Sequence, residues 1–501
     1  MFMMYNSTRD NSVRVTSSQA ITQGISKDGG LFVPEEIPAL TLEEISNMIS
    51  LKYPERAEYI MSKYLTDFTG DEVKECANLA YNEERFRHPD IAPLHQLGDG
   101  VNLLELWHGP TCAFKDMALQ ILPHLMRVSA SRTADGKEIV ILVATSGDTG
   151  KAALEGFRDA AKTRILVFYP EDGVSYMQKL QMITQEGGNV AVCGIKGNFD
   201  DAQSGVKSIF TNSRIAKRLE ANNMMFSSAN SINWGRLLPQ IVYYVSAYCD
   251  LVARGSIKLG DNINIVVPTG NFGNILAAYY AKKMGLPVSR LICASNKNKV
   301  LTDFIQTGVY NKNREFYTTT SPSMDILISS NLERLLYDLS GRDDNEIKRL
   351  MSDLATKGEY RVSAAIADSI QSLFHAGWCD DIQTADTIKD VFKKNGYLLD
   401  THTAVAVKVY MSYREQTGDN TPVVIASTAN PYKFSASVLQ ALGEDFESSD
   451  EFAKMDKLYD ITSFEIPEPL LSIKGKAVRF ANVCNPSDME QAVYSLLHIE
   501  G

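Results

Sequence analysis

The sequence predicts an α/β protein with a parallel sheet. Two observations carry that expectation. Short apolar runs at Glu138–Ala144, Arg164–Tyr169, Asn189–Cys193, Asn262–Val267, Arg290–Ala294 and Val423–Ser427 alternate with segments of helical spacing. This is how strands covered on both faces by crossover helices read. Three of the runs open directly into loops rich in Gly, Ser, Thr or Asn. In an open parallel sheet, ligands gather at these carboxyl ends.

Taken in order, residues 1–98 read as a small mixed domain, mostly helical. Thr16–Ser18 can cap a helix that runs to about Gln23. Asp28-Gly29-Gly30 is a turn before the apolar run Leu31-Phe32-Val33-Pro34. Leu42–Ile49 and Ala57–Leu65 have helical apolar spacing. Residues 99–323 read as the α/β core, with a helix to about Ala161, then helices at Tyr176–Gln185, Asp201–Leu219 and Asn274–Met284. Residues 324–400 read as a helical insertion in short pieces with charged faces. Residues 401–501 return to the core through Val423–Ser427 and end in helical Leu439–Leu442 and Met489–Leu497. No internal repeat, low-complexity tract or flexible linker interrupts the chain.

A chain of 501 residues with 44% hydrophobic and 22% charged residues can bury a large core in two or three lobes. Its net charge of -11 disfavours nucleic acid and anionic membrane as partners. Any phosphate site must then be local. Seven scattered cysteines without a CxxC suggest reduced thiols, and seven histidines without an HxxxH pair give no support for a metal site. The N-terminus lacks the pattern of a signal peptide, and no apolar run approaches the roughly 18 residues of a membrane span. A cytoplasmic protein is expected.

Four segments carry chemistry. Ala144-Thr145-Ser146-Gly147-Asp148-Thr149-Gly150 leads from a strand into a helix, whose N-terminal N–H groups favour an anion. A capped βα loop is the plainer reading. Pro268-Thr269-Gly270-Asn271-Phe272-Gly273-Asn274 sits in the same position after another strand, with two glycines that let backbone curl around a phosphate. It is neither G-x-G-x-x-G nor a P-loop, so dinucleotide and ATP readings fit poorly. Ala426-Ser427-Thr428-Ala429-Asn430-Pro431 follows a third strand and is weak alone. In Trp107-His108-Gly109-Pro110-Thr111-Cys112-Ala113-Phe114-Lys115-Asp116, one lysine stands among small and apolar residues. Desolvated there, it would lose pKa and become a nucleophile able to form a Schiff base. Residue types alone favour the plainer alternative, a surface lysine paired with Asp116.

Together the four segments resemble fold-type II pyridoxal-phosphate (PLP) enzymes, and most closely the threonine synthase family. HGPTCAFKD resembles that family's cofactor-lysine motif, ATSGDTG its substrate loop and PTGNFGN its cofactor-phosphate loop. Ala229-Asn230-Ser231-Ile232-Asn233-Trp234-Gly235-Arg236 resembles its substrate-phosphate segment. Tyr5-Asn6-Ser7-Thr8-Arg9 and Asp28–Pro34 match its longer members, so the likeness runs from residue 5 to about 435.

The resemblance implies conversion of O-phospho-L-homoserine and water to L-threonine and phosphate. It makes Lys115 the catalytic Schiff-base lysine, with Phe114 beside the cofactor. Gly270, Asn271, Phe272, Gly273 and Asn274 would cradle the cofactor phosphate, and Thr428 would meet the pyridine nitrogen. Ser146, Gly147, Asp148 and Thr149 would hold the substrate carboxylate, and Asn230, Ser231 and Arg236 its phosphate. A monomer or homodimer is expected.

Some positions depart from the family pattern. Asn430 and Tyr432 stand where His and Ala are frequent, and Lys151 adds a cation near an anion site. Asp10 replaces a usual Gly, and Asp148 sits where many fold-type II relatives carry Asn. Another fold-type II lyase, such as a threonine dehydratase or cysteine synthase, would keep Lys115 and change the substrate. A non-catalytic PLP-binding relative would keep the fold alone. A nicotinamide oxidoreductase lacks its fingerprint.

Overall fold

The computed structural model describes residues 2–145, 147–444, 446–448 and 450–499, apart from the side chain of Asp200. Along the chain, β1 (Tyr5–Ser7), β2 (Asp10–Val15) and β3 (Phe32–Pro34) make an antiparallel sheet in the order β2-β1-β3. The helix Ser17–Gln23 follows β2, closed by a capping box between Thr16 and Gln19. Helices Leu42–Met48, Tyr53–Ser62 and Gly70–Ala80 complete the N-terminal region. Asp10, the first residue of β2, accepts from the Ser12 N–H at 2.9 Å and hydroxyl at 2.7 Å. A carboxylate thus fixes the start of the strand where glycine is usual.

Next come β4 (Leu94–Gly98), β5 (Val101–Glu105), β6 (Glu138–Ala144), β7 (Thr163–Pro170), β8 (Val190–Ile195) and β9 (Met224–Ser227). They are followed by β10 (Ile263–Pro268), β11 (Val288–Ser295), β12 (Val309–Asn311), β13 (Glu359–Arg361), β14 (Phe374–Trp378), β15 (Val423–Ser427) and β16 (Val483–Cys484). One sheet runs β16-β8-β7-β6-β9 and is parallel throughout. The other runs β14-β11-β10-β15-β5-β4 and is parallel except for β4. Strands β6 and β10 are buried along almost their whole length, as the apolar runs required. The α/β class with parallel-sheet lobes is the observed one.

Two details differ from the pattern read along the chain. The helix expected over Asp201–Leu219 is two, Phe199–Thr211 and Ser213–Ala221. Asn212 leaves helical geometry at ψ 109°, and its side chain accepts from the Arg214 and Ile215 N–H groups. A residue that bonds its own following backbone competes with helix continuation. The mostly helical stretch 324–400 also contributes β14, which pairs in parallel with β11 and so joins the larger sheet.

The helix Trp234–Ala253 lies at the centre. Trp234, Leu237, Ile241, Tyr244 and Tyr248 on it are fully buried. It carries Arg236 in its first turn and anchors one side of the site described next.

Candidate active site

The loops after β6, β10 and β15 converge, and the Trp107–Asp116 segment runs between them. Backbone bonds stitch that segment to the β15 loop. The Phe114 N–H donates to the Thr428 carbonyl at 2.8 Å, and the Asn430 N–H to the Cys112 carbonyl at 3.0 Å. Lys115 follows, only 9% exposed. Its Nζ lies 4.9 Å from the centre of the Phe114 ring, 3.5 Å from Ser323 Oγ and 3.6 Å from Asp148 Oδ2. Asp116 is not its partner. That carboxylate accepts from the Thr111 N–H at 2.8 Å and hydroxyl at 2.7 Å. The surface-lysine alternative therefore falls.

Burial is the largest influence on the Lys115 ammonium and lowers its pKa. Asp148 opposes this, Arg236 and Lys433 reinforce it, and the pKa lies at about 8. For Asp148, burial alone would raise the pKa. Lys433 at 2.8 Å and Lys115 outweigh it and hold the carboxyl well below the usual carboxylate range. Gln178 Nε2 adds a hydrogen bond of 3.0 Å. The aspartate that departs from the usual Asn is thus an ionised group between two ammoniums.

The loop carrying Asp148 is wound around one hydroxyl. Thr145 Oγ1 accepts from the Gly147 N–H at 3.0 Å and the Gly150 N–H at 2.9 Å. Gly147 adopts φ +136°, which a side chain resists, and the helix Asp148–Phe157 starts there. Thr149 is partly exposed on its first turn, and Ser146 lies outside the described residues.

In the β10 loop the left-handed residue is Phe272, at φ 63°, rather than either glycine. Gly270 is needed for a different reason, since a Cβ there would stand 2.5 Å from the Ser323 carbonyl oxygen. The loop is held from outside. Asn331 donates to the Asn271 carbonyl through both its N–H and Nδ2 at 3.1 Å, and Ser329 Oγ donates to the Gly270 carbonyl at 2.8 Å. The helix Gly273–Met284 begins here, and its first-turn N–H groups have no intrahelical partners. Asn274 accepts from the hydroxyls of Tyr243, at 2.8 Å, and Tyr244, which leaves its buried Nδ2 without a partner.

The 229–236 segment lies beside this loop. A Cβ on Gly273 would come within 3.8 Å of Ser231 Cβ. The buried Oδ1 of Asn230 has no partner. Arg236 is 4% exposed, and its Nη1 donates to the Ala229 carbonyl at 2.8 Å. Among the described residues no carboxylate pairs with it, and burial alone pushes its pKa down to about 10. A buried cation without a counter-ion is costly, and such groups cluster where a ligand supplies the missing charge. Lys151 is different. It pairs with Glu155 at 3.0 Å and bonds Gln185, so it is no spare cation for a phosphate.

Three family models match the chain. Residues 4–81 match the model described as threonine synthase N terminus, 87–377 the pyridoxal-phosphate dependent enzyme model and 403–483 the threonine synthase C-terminal model. Threonine synthase of Pseudomonas aeruginosa is 40% identical over 441 residues, which cover 88% of this chain and 90% of that protein. The chain belongs to the threonine synthase family. A crystal structure of PLP-bound threonine synthase from Brucella melitensis superposes with TM-score 0.86 at 37% identity, covering 99% of both chains. The yeast threonine synthase crystal structure gives TM-score 0.88 at 32% identity, again over 99% of each. Human threonine synthase-like 1 is 42% identical over 435 residues, 85% of this chain, and the chain spans 58% of that relative's length.

The residues present fit the family's cofactor. A phosphate suits the free N–H groups and the orphaned Asn274 Nδ2 of the β10 loop. A partly neutral Lys115 amine suits an aldehyde. Several residues around Lys115 carried no sequence signal. Ser323 arrives from the loop before Leu332–Leu339, and its N–H donates to His402 Nε2 at 3.1 Å. His402 Nδ1 faces Asp400 at 3.1 Å, so the network assigns the proton to Nδ1. Asn331 and Lys433 are the other residues missed, and Thr145, inside the loop read from the sequence, had been given no role of its own. Tyr432, whose bulk suggested a changed pocket wall, donates its hydroxyl to the Phe464 carbonyl and ties the β15 loop to the C-terminal segment.

Proposed function

We propose that this chain converts O-phospho-L-homoserine and water to L-threonine and inorganic phosphate, with pyridoxal 5'-phosphate carried on Lys115. The observation that carries this reading is the buried Arg236 guanidinium, which has no carboxylate partner among the described residues and acts electrostatically on a buried lysine whose pKa is about 8. A dehydratase or cysteine synthase has no second phosphate to neutralise such a cation.

When bound, pyridoxal phosphate supplies an aldehyde for the substrate amine and a ring that accepts electron density from the α- and β-carbons. The rest is the protein's work. Gly270, Asn271, Phe272, Gly273 and Asn274 hold the cofactor phosphate by backbone N–H groups and the free Asn274 amide. Thr428, at the end of β15, offers a hydroxyl to the ring nitrogen. Lys115, once released by the substrate amine, takes and returns the substrate's protons, a task suited to a pKa near 8.

The backbone N–H groups of Asp148 and Thr149, with the Ser146 and Thr149 hydroxyls, take the substrate carboxylate, on a turn that Gly147 holds through its N–H to Thr145. The Asp148 side chain does not take part in that contact, because it is ionised and turned to the two lysines. Asn230, Ser231 and Arg236 take the substrate phosphate, the Arg236 fork gripping two oxygens.

In this reading residues 1–98 form a small N-terminal domain, 99–323 the cofactor core, 324–400 a helical insertion and 401–501 the return to the core. The enzyme works in the cytoplasm as a monomer or homodimer, without nucleic-acid or membrane partners. Among the described residues no helix is long and apolar enough to cross a membrane.

The test is turnover by the cofactor-loaded protein. Phosphate and threonine should appear in equal amounts from O-phospho-L-homoserine, with neither formed from homoserine. Deamination of threonine, or cysteine formation from O-acetylserine, at higher kcat/KM would replace the proposal with the corresponding lyase.

A further inference from the structure

Lys433 belongs to none of the segments to which the sequence assigned chemistry. It sits in the short turn Pro431–Phe434 after β15, and its side chain is entirely buried, at 0% exposure. Its Nζ lies 2.8 Å from Asp148 Oδ1 and donates to the Thr111 carbonyl at 2.8 Å. One ammonium therefore joins the loop after β6, the loop after β15 and the segment that carries Lys115.

Asp148 faces both lysines. Oδ1 is turned to Lys433 and also accepts from Gln178 Nε2 at 3.0 Å, while Oδ2 lies 3.6 Å from Lys115 Nζ. The shorter, hydrogen-bonded pair is with Lys433. Ion pairs in such a buried place are strong where geometry is close and weaken quickly as it loosens. A carboxylate committed to Lys433 is only a partial counter-ion for Lys115. Freed from Lys433, it would turn fully to Lys115 and hold that amine as an ammonium, the form that cannot attack an aldehyde.

We propose that Lys433 is a positioning residue that acts on Lys115 through Asp148, holding the carboxylate to itself so that the Lys115 amine stays available as a nucleophile. This rests on the reading of Lys115 as the cofactor lysine.

The charged groups acting on Lys115 come from three elements: Asp148 on the helix 148–157, Arg236 on the helix 234–253 and Lys433 itself. Two more titratable groups feel Lys433. Burial pushes the Asp116 carboxyl up to about 6, with Glu155 adding to it, and burial pushes the Cys112 thiol up to about 12. Neither reaches Lys115 as a hydrogen-bond partner.

The test titrates Lys115 in the cofactor-free protein. Acetylation rates at Lys115, read by peptide mass spectrometry from pH 6 to 10, give the midpoint of its amine without any catalysis. Lys433→Met should raise the midpoint by about one pH unit or more, as expected when a close carboxylate becomes a full partner. At pH 8 that is a fall in Lys115 reactivity of about fivefold. Asp148→Asn should lower the midpoint.

The same lysine substitution made on top of Asp148→Asn should shift the midpoint by less than half as much, because the path through Asp148 is gone. Equal shifts in both backgrounds overturn the proposal and leave only direct repulsion between the lysines. An unchanged or lowered midpoint in Lys433→Met with wild-type circular dichroism also overturns it. Should Lys433→Met yield no folded protein, Asp148→Asn is compared with the double variant. Midpoints within about half a pH unit support the proposal, and a full unit between them defeats it. Borohydride trapping of the cofactor in the wild-type protein separates the underlying reading. A label on another lysine removes Lys115 as the cofactor lysine and leaves the midpoint comparison standing.

Discussion

Arg236→Met should make the protein more stable and the enzyme worse. The guanidinium is buried, its pKa is depressed from an ordinary 12.5 to about 10, and burial is the only cause. That difference corresponds to about 3 kcal/mol of unfavourable environment for the charged form, at about 1.4 kcal/mol per pH unit. Because the folded-state pKa of this base is lowered, the penalty applies in full below about pH 10 and so throughout the neutral range. Methionine has a similar shape and no charge. Against its gain stands the lost bond from the charged guanidinium to the Ala229 carbonyl, worth about 1.5–3 kcal/mol. The net is up to about 1.5 kcal/mol of added stability, or a Tm rise of up to about 2 °C for a chain of this size.

Catalysis should move the other way. Removing one partner of a buried, hydrogen-bonded charge pair costs about 2–5 kcal/mol, so kcat/KM for phosphohomoserine should fall by about 30-fold to about 4,000-fold. Differential scanning calorimetry and steady-state kinetics on cofactor-loaded protein measure both. Added inorganic phosphate should raise the wild-type Tm by linkage and leave that of Arg236→Met unchanged. If the variant is less stable than wild type and keeps its kcat/KM and phosphate response, Arg236 is a structural residue and the substrate phosphate lies elsewhere.

Four further predictions concern the cofactor. Borohydride treatment of the yellow holoprotein should fix the cofactor on Lys115, read by peptide mapping. Lys115→Arg should abolish turnover, because a guanidinium stays charged and cannot attack. Gly270→Ala places a Cβ 2.5 Å from the Ser323 carbonyl and should weaken cofactor binding about tenfold or more, measured by equilibrium dialysis with absorbance. An unchanged affinity would mean that the β10 loop does not hold the cofactor. Thr428→Asp should shift the cofactor spectrum and end threonine synthesis, since a carboxylate would hold a proton on the ring nitrogen. A wild-type spectrum and rate would place Thr428 away from that atom.

Where local chemistry is decisive, the sequence was readable to the residue. Glu138–Ala144, Val423–Ser427 and Met489–Leu497 have the expected bounds, because apolar runs buried on both faces and a clean helical stripe leave little choice. The helix Trp234–Ala253 went unread because its first turn lies within the segment read as a phosphate site and Pro239 stands inside it, which reads as a helix breaker. Strand β14 follows the helix Ala364–Leu373 without a loop, so its five residues blended into a helical stretch. Strands β1 and β2 are polar and short, and their pairing is a tertiary fact.

The site divides in the same way. Lys115 and the three loops stood out by residue type and by position after strands. Lys433, Ser323, His402 and Asn331 act through contacts across 60 to 322 positions of sequence, and nothing local marks them. Asp148 is the instructive case. Alone it reads as a carboxylate misplaced beside an anionic cofactor, and its charge is explained by Lys433, with Lys115 and Gln178, none of which the local sequence connects to it.

The most direct test of the account is the fate of oxygen from water. Run with cofactor-loaded protein and O-phospho-L-homoserine in water enriched in oxygen-18, the reaction should place one heavy oxygen in the threonine hydroxyl. The released phosphate, freed by cleavage of the carbon–oxygen bond at Cγ, should carry none. Heavy oxygen in the phosphate, with homoserine as the organic product, would mean simple hydrolysis at phosphorus and would contradict the account.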